Sequence, residues 1–229
     1  MASIALLALA LPAYFGRAGY RTLGVKMSLD IGGYGNITVM LPAGLVLAGW
    51  LAYCASRRAA MGWLVTMLVA YTLVAGSKVL FKGWGIGVHR LDIAVLSGHA
   101  MNTCMVVTVA LSLLARQLHP ALRWAGAALG TAFGWWFAVN CVAPFIHPLP
   151  EALAGALVGS IAAWLFLRWL EQHEVRRASP AAIAFGLVVI AACGAFPKYT
   201  AEHFLDQFAI ALSGAEKPFS SPAQQRPTL

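Results

Sequence analysis

Charged residues are scarce in this sequence of 229 residues. Asp, Glu, Lys and Arg together make up 10% of the chain, whereas about 25% is usual for a soluble domain. Hydrophobic residues make up 60%, and several apolar runs approach the ~20 residues that a helix needs to cross a bilayer. The composition therefore excludes an ordinary soluble domain. It predicts an all-α protein, a polytopic transmembrane bundle of about six to seven membrane helices.

Residue patterns for metal, redox and nucleic-acid chemistry are also missing. The four cysteines lie within or at the edges of apolar runs, and no two have the spacing of a metal site or a redox pair. No cluster of carboxylates is present, and no basic stretch is interleaved with aromatic residues. We therefore expect no metal, no cofactor and no nucleic-acid partner, and we expect the cysteines to pack as small apolar side chains.

Seven apolar segments are present. Residues 1–16 lack the basic start and the clear cleavage site of a signal peptide, so we interpret them as a short first membrane helix. The other six segments are expected at about 34–55, 59–81, 97–115, 124–145, 151–170 and 181–196. A membrane domain is thus predicted over residues 1–196. Residues 197–229 are predicted to hold an amphipathic stretch, "EHFLDQFAIAL", followed by a disordered Pro/Ser/Gln-rich end.

Glycines recur every four residues on two neighbouring segments, at Gly126, Gly130 and Gly134 and again at Gly155 and Gly159. Small residues at this spacing let membrane helices approach closely. We expect the two segments that carry them, 124–145 and 151–170, to pack tightly.

The few polar residues converge on one side of the membrane. Two crossings separate His99 from His147, so both lie on the same side. The loop 82–96 opens onto that side as well and carries Lys82, His89, Arg90 and Asp92, with Lys78 one turn back in the preceding helix. Ionisable groups collected in this way in a charge-poor membrane protein indicate a functional site. The formal net charge of +8 is consistent with anionic headgroups or a phosphate-bearing substrate.

The helix starts on that side favour an anion. Ser97 is placed to cap the helix that begins beside it, where unpaired N–H groups and the helix dipole attract negative charge. His147 and Glu151 are four residues apart and share a helical face. A carboxylate there can hold one ring nitrogen of His147 and leave the other to act.

Each of these residues also has a purely structural interpretation. A lone histidine at a helix end is commonly a surface or interface residue, and Lys78 can extend its amine to the headgroups. Glu151 can serve simply as a negative charge that stabilises the N-terminus of its helix. Arg90 and Asp92 can form a surface pair of little energetic value.

The stretches that carry these residues resemble the three sequence blocks of the type 2 phosphatidic acid phosphatase family of membrane phosphatases. "LSGHA" at residues 96–100 is similar to the Pro-Ser-Gly-His block, and "NCVAPFIHPLPE" at 140–151 to the Ser-Arg-x5-His-x3-Asp block. "SKVLFKGWGIG" at 77–87 resembles the Lys-x6-Arg-Pro block. The blocks come in the family's order, and the resemblance covers about residues 20–170. The sequence departs from the family at Gly85, Leu96, Asn140, Cys141 and Glu151.

The resemblance implies a role for each matching residue. His147 would be the nucleophile that accepts the phosphoryl group, oriented by Glu151, and His99 the general acid. Lys78, Ser97 and the amide of Gly98 would bind the phosphate oxygens. Cys141 replaces an arginine of the family pattern, and the missing cation can come from Arg90 or from Arg17, Arg21 or Lys26 folding over the site. We expect Arg90 to supply it, since its glycine-rich loop leads directly into Ser97.

The resulting hypothesis is a metal-independent phosphatase that hydrolyses a lipid phosphate or diphosphate, phosphatidate-like or polyprenyl, through a phosphohistidine. One alternative is a relative that binds phospholipid or protein partners without hydrolysis. A transporter is disfavoured because the helix interiors carry almost no charge. The turns 56–58, 116–123 and 168–177 hold seven Lys and Arg residues and are expected to be cytoplasmic. Together with the usual orientation of bacterial members of the family, this predicts an inner-membrane protein with its site facing the periplasm.

Overall fold

The computed structural model describes residues 33–143, 145–195 and 202–220. These residues form seven α-helices and no β-sheet. The helices are α1 (Ile37–Cys54), α2 (Arg57–Trp84), α3 (Gly98–Leu118), α4 (Arg123–Phe137), α5 (Leu149–Leu170), α6 (Pro180–Ala195) and α7 (Glu202–Ser213). A π-helical turn, Ala138–Val142, extends α4.

Five of these helices are long and apolar enough to cross a membrane: α1, α2, α3, α4 together with its extension, and α5. The apolar α6 is shorter, at 16 residues. The chain is thus an integral membrane protein, and the predicted all-α transmembrane bundle is confirmed. The predicted helix over residues 1–16 lies outside the described residues, as do residues 221–229 of the predicted disordered end.

Local hydrogen bonds fix the starts of three helices. The side chains of Asn36, Ser56 and Ser97 accept from the backbone N–H groups in the first turns of α1, α2 and α3 at 3.1, 3.0 and 3.4 Å. Such caps satisfy donors that a helix start leaves unpaired. Gly85, at φ +69°, ends α2 in the left-handed conformation that glycine adopts without strain. The cap predicted at Ser97 is therefore confirmed.

The glycines of two helices, Gly126, Gly130 and Gly134 on α4 and Gly155 and Gly159 on α5, face α3 and its N-cap. A Cβ added to Gly126 would lie 2.4 Å from the carbonyl oxygen of Leu111, and one added to Gly159 would lie 2.2 Å from that of Met101. Gly130, Gly134 and Gly155 meet α3 in the same way. The expected tight packing is confirmed for each segment against α3, whose backbone both rows of glycines accommodate. The helices α4 and α5 also contact each other directly, with Trp124 stacked on Trp164 at 5.2 Å between ring centroids.

The polar groups divide between the two ends of the bundle. At one end, Arg116 and Arg123 pair with Glu171, and the amide of Arg176 donates to the carbonyl of Cys54 at 2.7 Å. The starts of α1, α3 and α5 and the end of α2 lie at the other end, together with His99 and His147. The predicted placement of both histidines on one side is therefore confirmed.

Candidate functional site

A cavity of about 510 Å³ opens at the histidine end of the bundle. The start of α1, the C-terminal half of α2, the first turn of α3, the turn before α5 and the first turn of α7 all contribute to its wall. Its polar lining includes His99, His147, Lys78, Lys82 and Glu202. Elements far apart in the sequence thus place two imidazoles, two amines and a carboxylate around one space.

The two histidines face each other across part of this cavity. Their ring centroids are 6.3 Å apart and their planes are inclined by 55°. Nδ1 of His147 lies 2.8 Å from Oε2 of Glu151, as the four-residue spacing predicted. Since Nδ1 is committed to this carboxylate, Nε2 is the ring nitrogen that His147 offers to a ligand.

Glu151 also fixes the loop before α3. Its side chain is 1% exposed, and its Oε1 accepts from the amides of Ala94 and Val95 at 3.3 Å each. Its backbone carbonyl accepts from the amide of Ser97 at 3.2 Å. The sequence predicted the contact with His147 but not these three bonds. They arise only when α5 is packed beside the start of α3.

The amines of Lys78 and Lys82 are bound by two carboxylates of α7. Lys78 pairs with Glu202, and Lys82 pairs with both Glu202, at 2.8 Å, and Asp206. The lysine side chains are 10% and 12% exposed. Burial raises the pKa of Glu202, but the neighbouring charges of Lys78 and Lys82 outweigh it and lower that pKa to about 2. The carboxylate is therefore ionised at neutral pH.

Lys82 was expected on the side of the histidines but without a role in the site, and the acidic residues of α7 were not expected there. A signal for them is present in the sequence: Lys78 and Lys82 are four residues apart, and so are Glu202 and Asp206. Two helices with matched four-residue spacings of opposite charge can align their charged faces. Sequence spacing alone does not show that the two helices meet.

Two predicted phosphate ligands are placed differently from the expectation. The hydroxyl of Ser97 is fully buried and accepts from the amide of Ala100, so it caps α3 and does not line the cavity. Arg90 is exposed on its loop and does not line the cavity either. The loop folds back on itself through a 2.8 Å bond from the amide of Val88 to the carbonyl of Ile93, which leaves Arg90 near its tip. Gly98 does line the cavity.

Cys141, where the sequence resemblance would place an arginine, is buried in an apolar cluster with Phe137, Val142 and Ala152. The neighbouring Asn140 is exposed and donates to the carbonyl of Trp136 at 2.8 Å. Neither residue lines the cavity. Among the described residues, the Lys and Arg side chains that do line it are Lys78 and Lys82.

Asn102 adds a polar group one turn beyond His99. It is 2% exposed, lines the cavity and donates from Nδ2 to the carbonyl of Gly35 at 3.2 Å. This bond ties the start of α1 to α3 beside the histidines. Among the described residues, no group of three or more His, Cys, Asp or Glu side chains is arranged to hold a metal ion.

No family model matches the sequence, and no solved structure matches it. One curated relative, from Klebsiella pneumoniae, is described as an uncharacterized 22.5 kDa protein in a cps region. It is 27% identical over 192 residues, which cover 82% of this chain and 92% of the relative. The chain is thus similar to that protein along most of its length.

Proposed function

We propose that this protein is a metal-independent membrane phosphatase that hydrolyses a lipid phosphate or diphosphate through a phosphohistidine intermediate. The observation that carries the proposal is the arrangement of His147, bound through Nδ1 to the buried Glu151, with the ring of His99 at 6.3 Å in the same cavity. One imidazole is oriented as a nucleophile, and a second lies within reach of the same phosphorus as a proton donor.

In the first step, Nε2 of His147 attacks phosphorus, and the bond between phosphorus and the leaving oxygen breaks. His99 donates a proton to that oxygen as it leaves. The phosphorylated imidazole keeps its proton on Nδ1 and carries positive charge, which the carboxylate of Glu151 stabilises.

In the second step, water attacks phosphorus and the bond between phosphorus and Nε2 breaks. His99 accepts a proton from that water, which restores its starting state. Inorganic phosphate is released, and His147 returns to the neutral form that Glu151 orients.

Two lysines and a helix start stabilise the charge of the phosphoryl group. Phosphoryl transfer depends chiefly on positioning and on electrostatic stabilisation of the oxygens. Lys78 and Lys82 line the cavity, and Gly98 begins α3, where unpaired amides point outward along the helix axis. In this proposal Lys82 supplies the second cation that was expected from Arg90.

The cavity also fits the apolar part of a lipid. Ile37, Leu41 and Val74 belong to membrane helices and line the same space as the histidines. A headgroup at the lysines would leave its chain along these side chains. We further propose that the protein resides in a bacterial inner membrane with this cavity open to the periplasm, on the basis of the basic turns at the opposite end.

Phosphate release from purified protein tests the proposal, with phosphatidate and a polyprenyl diphosphate as substrates in detergent. We expect turnover by the wild type and its loss in His147→Ala. The matched control is His119→Ala, because His119 is an exposed histidine in the turn between α3 and α4, at the other end of the bundle. Turnover by His147→Ala at the wild-type rate would contradict the assignment of the nucleophile.

A second candidate function is lipid binding without hydrolysis. It is favoured by one observation: among the described residues no arginine lines the cavity, and the family's arginine position is the buried Cys141. This candidate predicts that the wild type retains phosphatidate but releases no phosphate from it. The same preparations, assayed for bound lipid and for released phosphate, distinguish the two functions.

A further inference from the structure

The first turn of α7 places a carboxylate in the cationic part of the cavity. Glu202 pairs with Lys78 through Oε1 and with Lys82 through Oε2, so its two oxygens bridge two amines. Asp206 pairs with Lys82 one turn further along. Glu202 lines the cavity that holds His99 and His147. A carboxylate of the chain therefore occupies the place where the proposed function requires the substrate's anionic oxygens.

We propose that Glu202 determines headgroup specificity: it is an internal anion that phosphodiester lipids cannot displace and that more highly charged phosphate monoesters or diphosphates can. This inference rests on the proposed function for the identity of the substrate. It concerns a residue of α7 that lies outside the region of family resemblance.

The reasoning compares the charges of the competing anions. A phosphodiester headgroup carries one negative charge on two free oxygens, as a carboxylate does. Exchanging it for Glu202 adds no charge neutralisation to Lys78 and Lys82. Because Glu202 is tethered to the chain, its effective concentration beside the lysines is in the millimolar range or higher. A monoester carries about −1.5 to −2 charges at pH 7 and more oxygens to accept hydrogen bonds. Only the exchange for a monoester or a diphosphate therefore gains electrostatic energy.

Selection between headgroups is needed because the cavity lies between membrane helices. Ordinary phospholipids are phosphodiesters and surround the protein in great excess. Two largely buried amines open to such lipids would bind them and exclude a rarer substrate. A tethered carboxylate keeps the amines neutralised until a headgroup of higher charge arrives.

A purely structural role for Glu202 makes a different prediction. If the pairs only hold α7 against α2, removing the carboxylate loosens the helix and lowers stability without tightening the binding of any lipid. If Glu202 is a competing anion, it lowers the affinities for both headgroups by the same factor, and only the headgroup of higher charge retains enough affinity to bind. The affinity for a phosphodiester is therefore the decisive quantity.

The test measures retention of phosphatidylglycerol, a diester, and phosphatidate, a monoester, by native mass spectrometry of the full chain. All preparations carry His147→Ala so that phosphatidate is not consumed. We expect Glu202→Gln to bind phosphatidylglycerol about tenfold more tightly, which corresponds to about 1.4 kcal/mol. Its affinity for phosphatidate should rise by a similar factor, because both headgroups displace the same carboxylate. The matched control is Glu216→Gln, because Glu216 is an exposed carboxylate of the same tail; it should leave both affinities unchanged.

An unchanged affinity for phosphatidylglycerol in Glu202→Gln would overturn the inference. Asp206→Asn provides a second test if Glu202→Gln does not fold, because it retains the Lys78–Glu202 pair and weakens only the hold on Lys82. It should tighten phosphatidylglycerol binding by a smaller factor, and no change would again contradict the inference. Because binding is measured without turnover, a wild type that releases no phosphate would reject the proposed function and leave the result on specificity standing.

Discussion

The contacts of Glu151 predict that two substitutions at this position both lower turnover but differ in their effect on stability. Glu151→Gln preserves the shape of the side chain, and its remaining oxygen can still accept from the amides of Ala94 and Val95. Its NH₂ group then faces Nδ1 of His147, where the carboxylate oxygen lies at 2.8 Å in the wild type. Because that NH₂ is a donor, Nδ1 must become an acceptor, and the ring proton moves to Nε2.

A proton on Nε2 removes the lone pair that would attack phosphorus. In addition, the amide cannot stabilise the positive charge of the phosphorylated ring. A wrong histidine tautomer of this kind costs about 10⁴-fold in a well-studied triad. We expect a loss of about 10²–10⁴-fold in turnover here, or about 2.7–5.4 kcal/mol. The free energy of unfolding should change little, since both backbone donors keep their acceptor.

Glu151→Ala removes that acceptor as well. It leaves the amides of Ala94 and Val95 unpaired beside a fully buried position. An unpaired buried donor costs about 1–3 kcal/mol. Because both wild-type distances are long, at 3.3 Å, we take the lower part of that range. We expect a destabilisation of about 2–3 kcal/mol for the two amides, in addition to the loss of turnover.

Thermal unfolding in detergent and phosphate release measure the two effects separately. The expected pattern is a stable but nearly inactive Glu151→Gln protein and an inactive, less stable Glu151→Ala protein. Wild-type turnover by Glu151→Gln would refute the orienting role of the carboxylate. Equal stability of Glu151→Ala and the wild type would refute its role in holding the loop before α3.

Three further outcomes are expected. Gly159→Ala should lower thermal stability strongly because its Cβ would meet the backbone of α3 at 2.2 Å, whereas Gly49→Ala, with no atom within 4 Å of its Cβ, should be nearly neutral; equal melting temperatures would contradict this packing. Cysteine labelling from outside intact cells, in a background without native cysteines, should label only one of the two variants His147→Cys and Arg116→Cys, and labelling of both would refute the crossing order. Because the pKa of Glu202 is lowered to about 2, below its unfolded value of about 4.3, ionisation of Glu202 should stabilise the docking of α7 fully above about pH 5. This contribution should be lost as pH falls from about 4 through 2, and a probe on α7 that detaches between pH 5 and 8 would contradict it.

Much of the site follows from local sequence and from counting membrane crossings. The cap at Ser97 and the pair of His147 with Glu151 depend on spacings of three and four residues within one helical turn. The common side of His99 and His147 depends only on two apolar segments between them. Arg90 shows where this reasoning fails: its proximity in sequence to Ser97 did not bring it to the cavity, because the loop folds back through Val88 and Ile93.

The sequence by itself determined the all-α membrane architecture, the approximate helices and the placement of both histidines on the same side. Burial of apolar surface in the bilayer and backbone hydrogen bonding within each helix act locally, so composition and spacing encode them. Only the tertiary structure decided that the glycines of both α4 and α5 pack on α3 and that Cys141 packs in an apolar cluster. It also decided that Glu202 of α7 meets Lys78 and Lys82 of α2. These contacts join residues distant in sequence, and they depend on how whole helices pack, which no local spacing specifies.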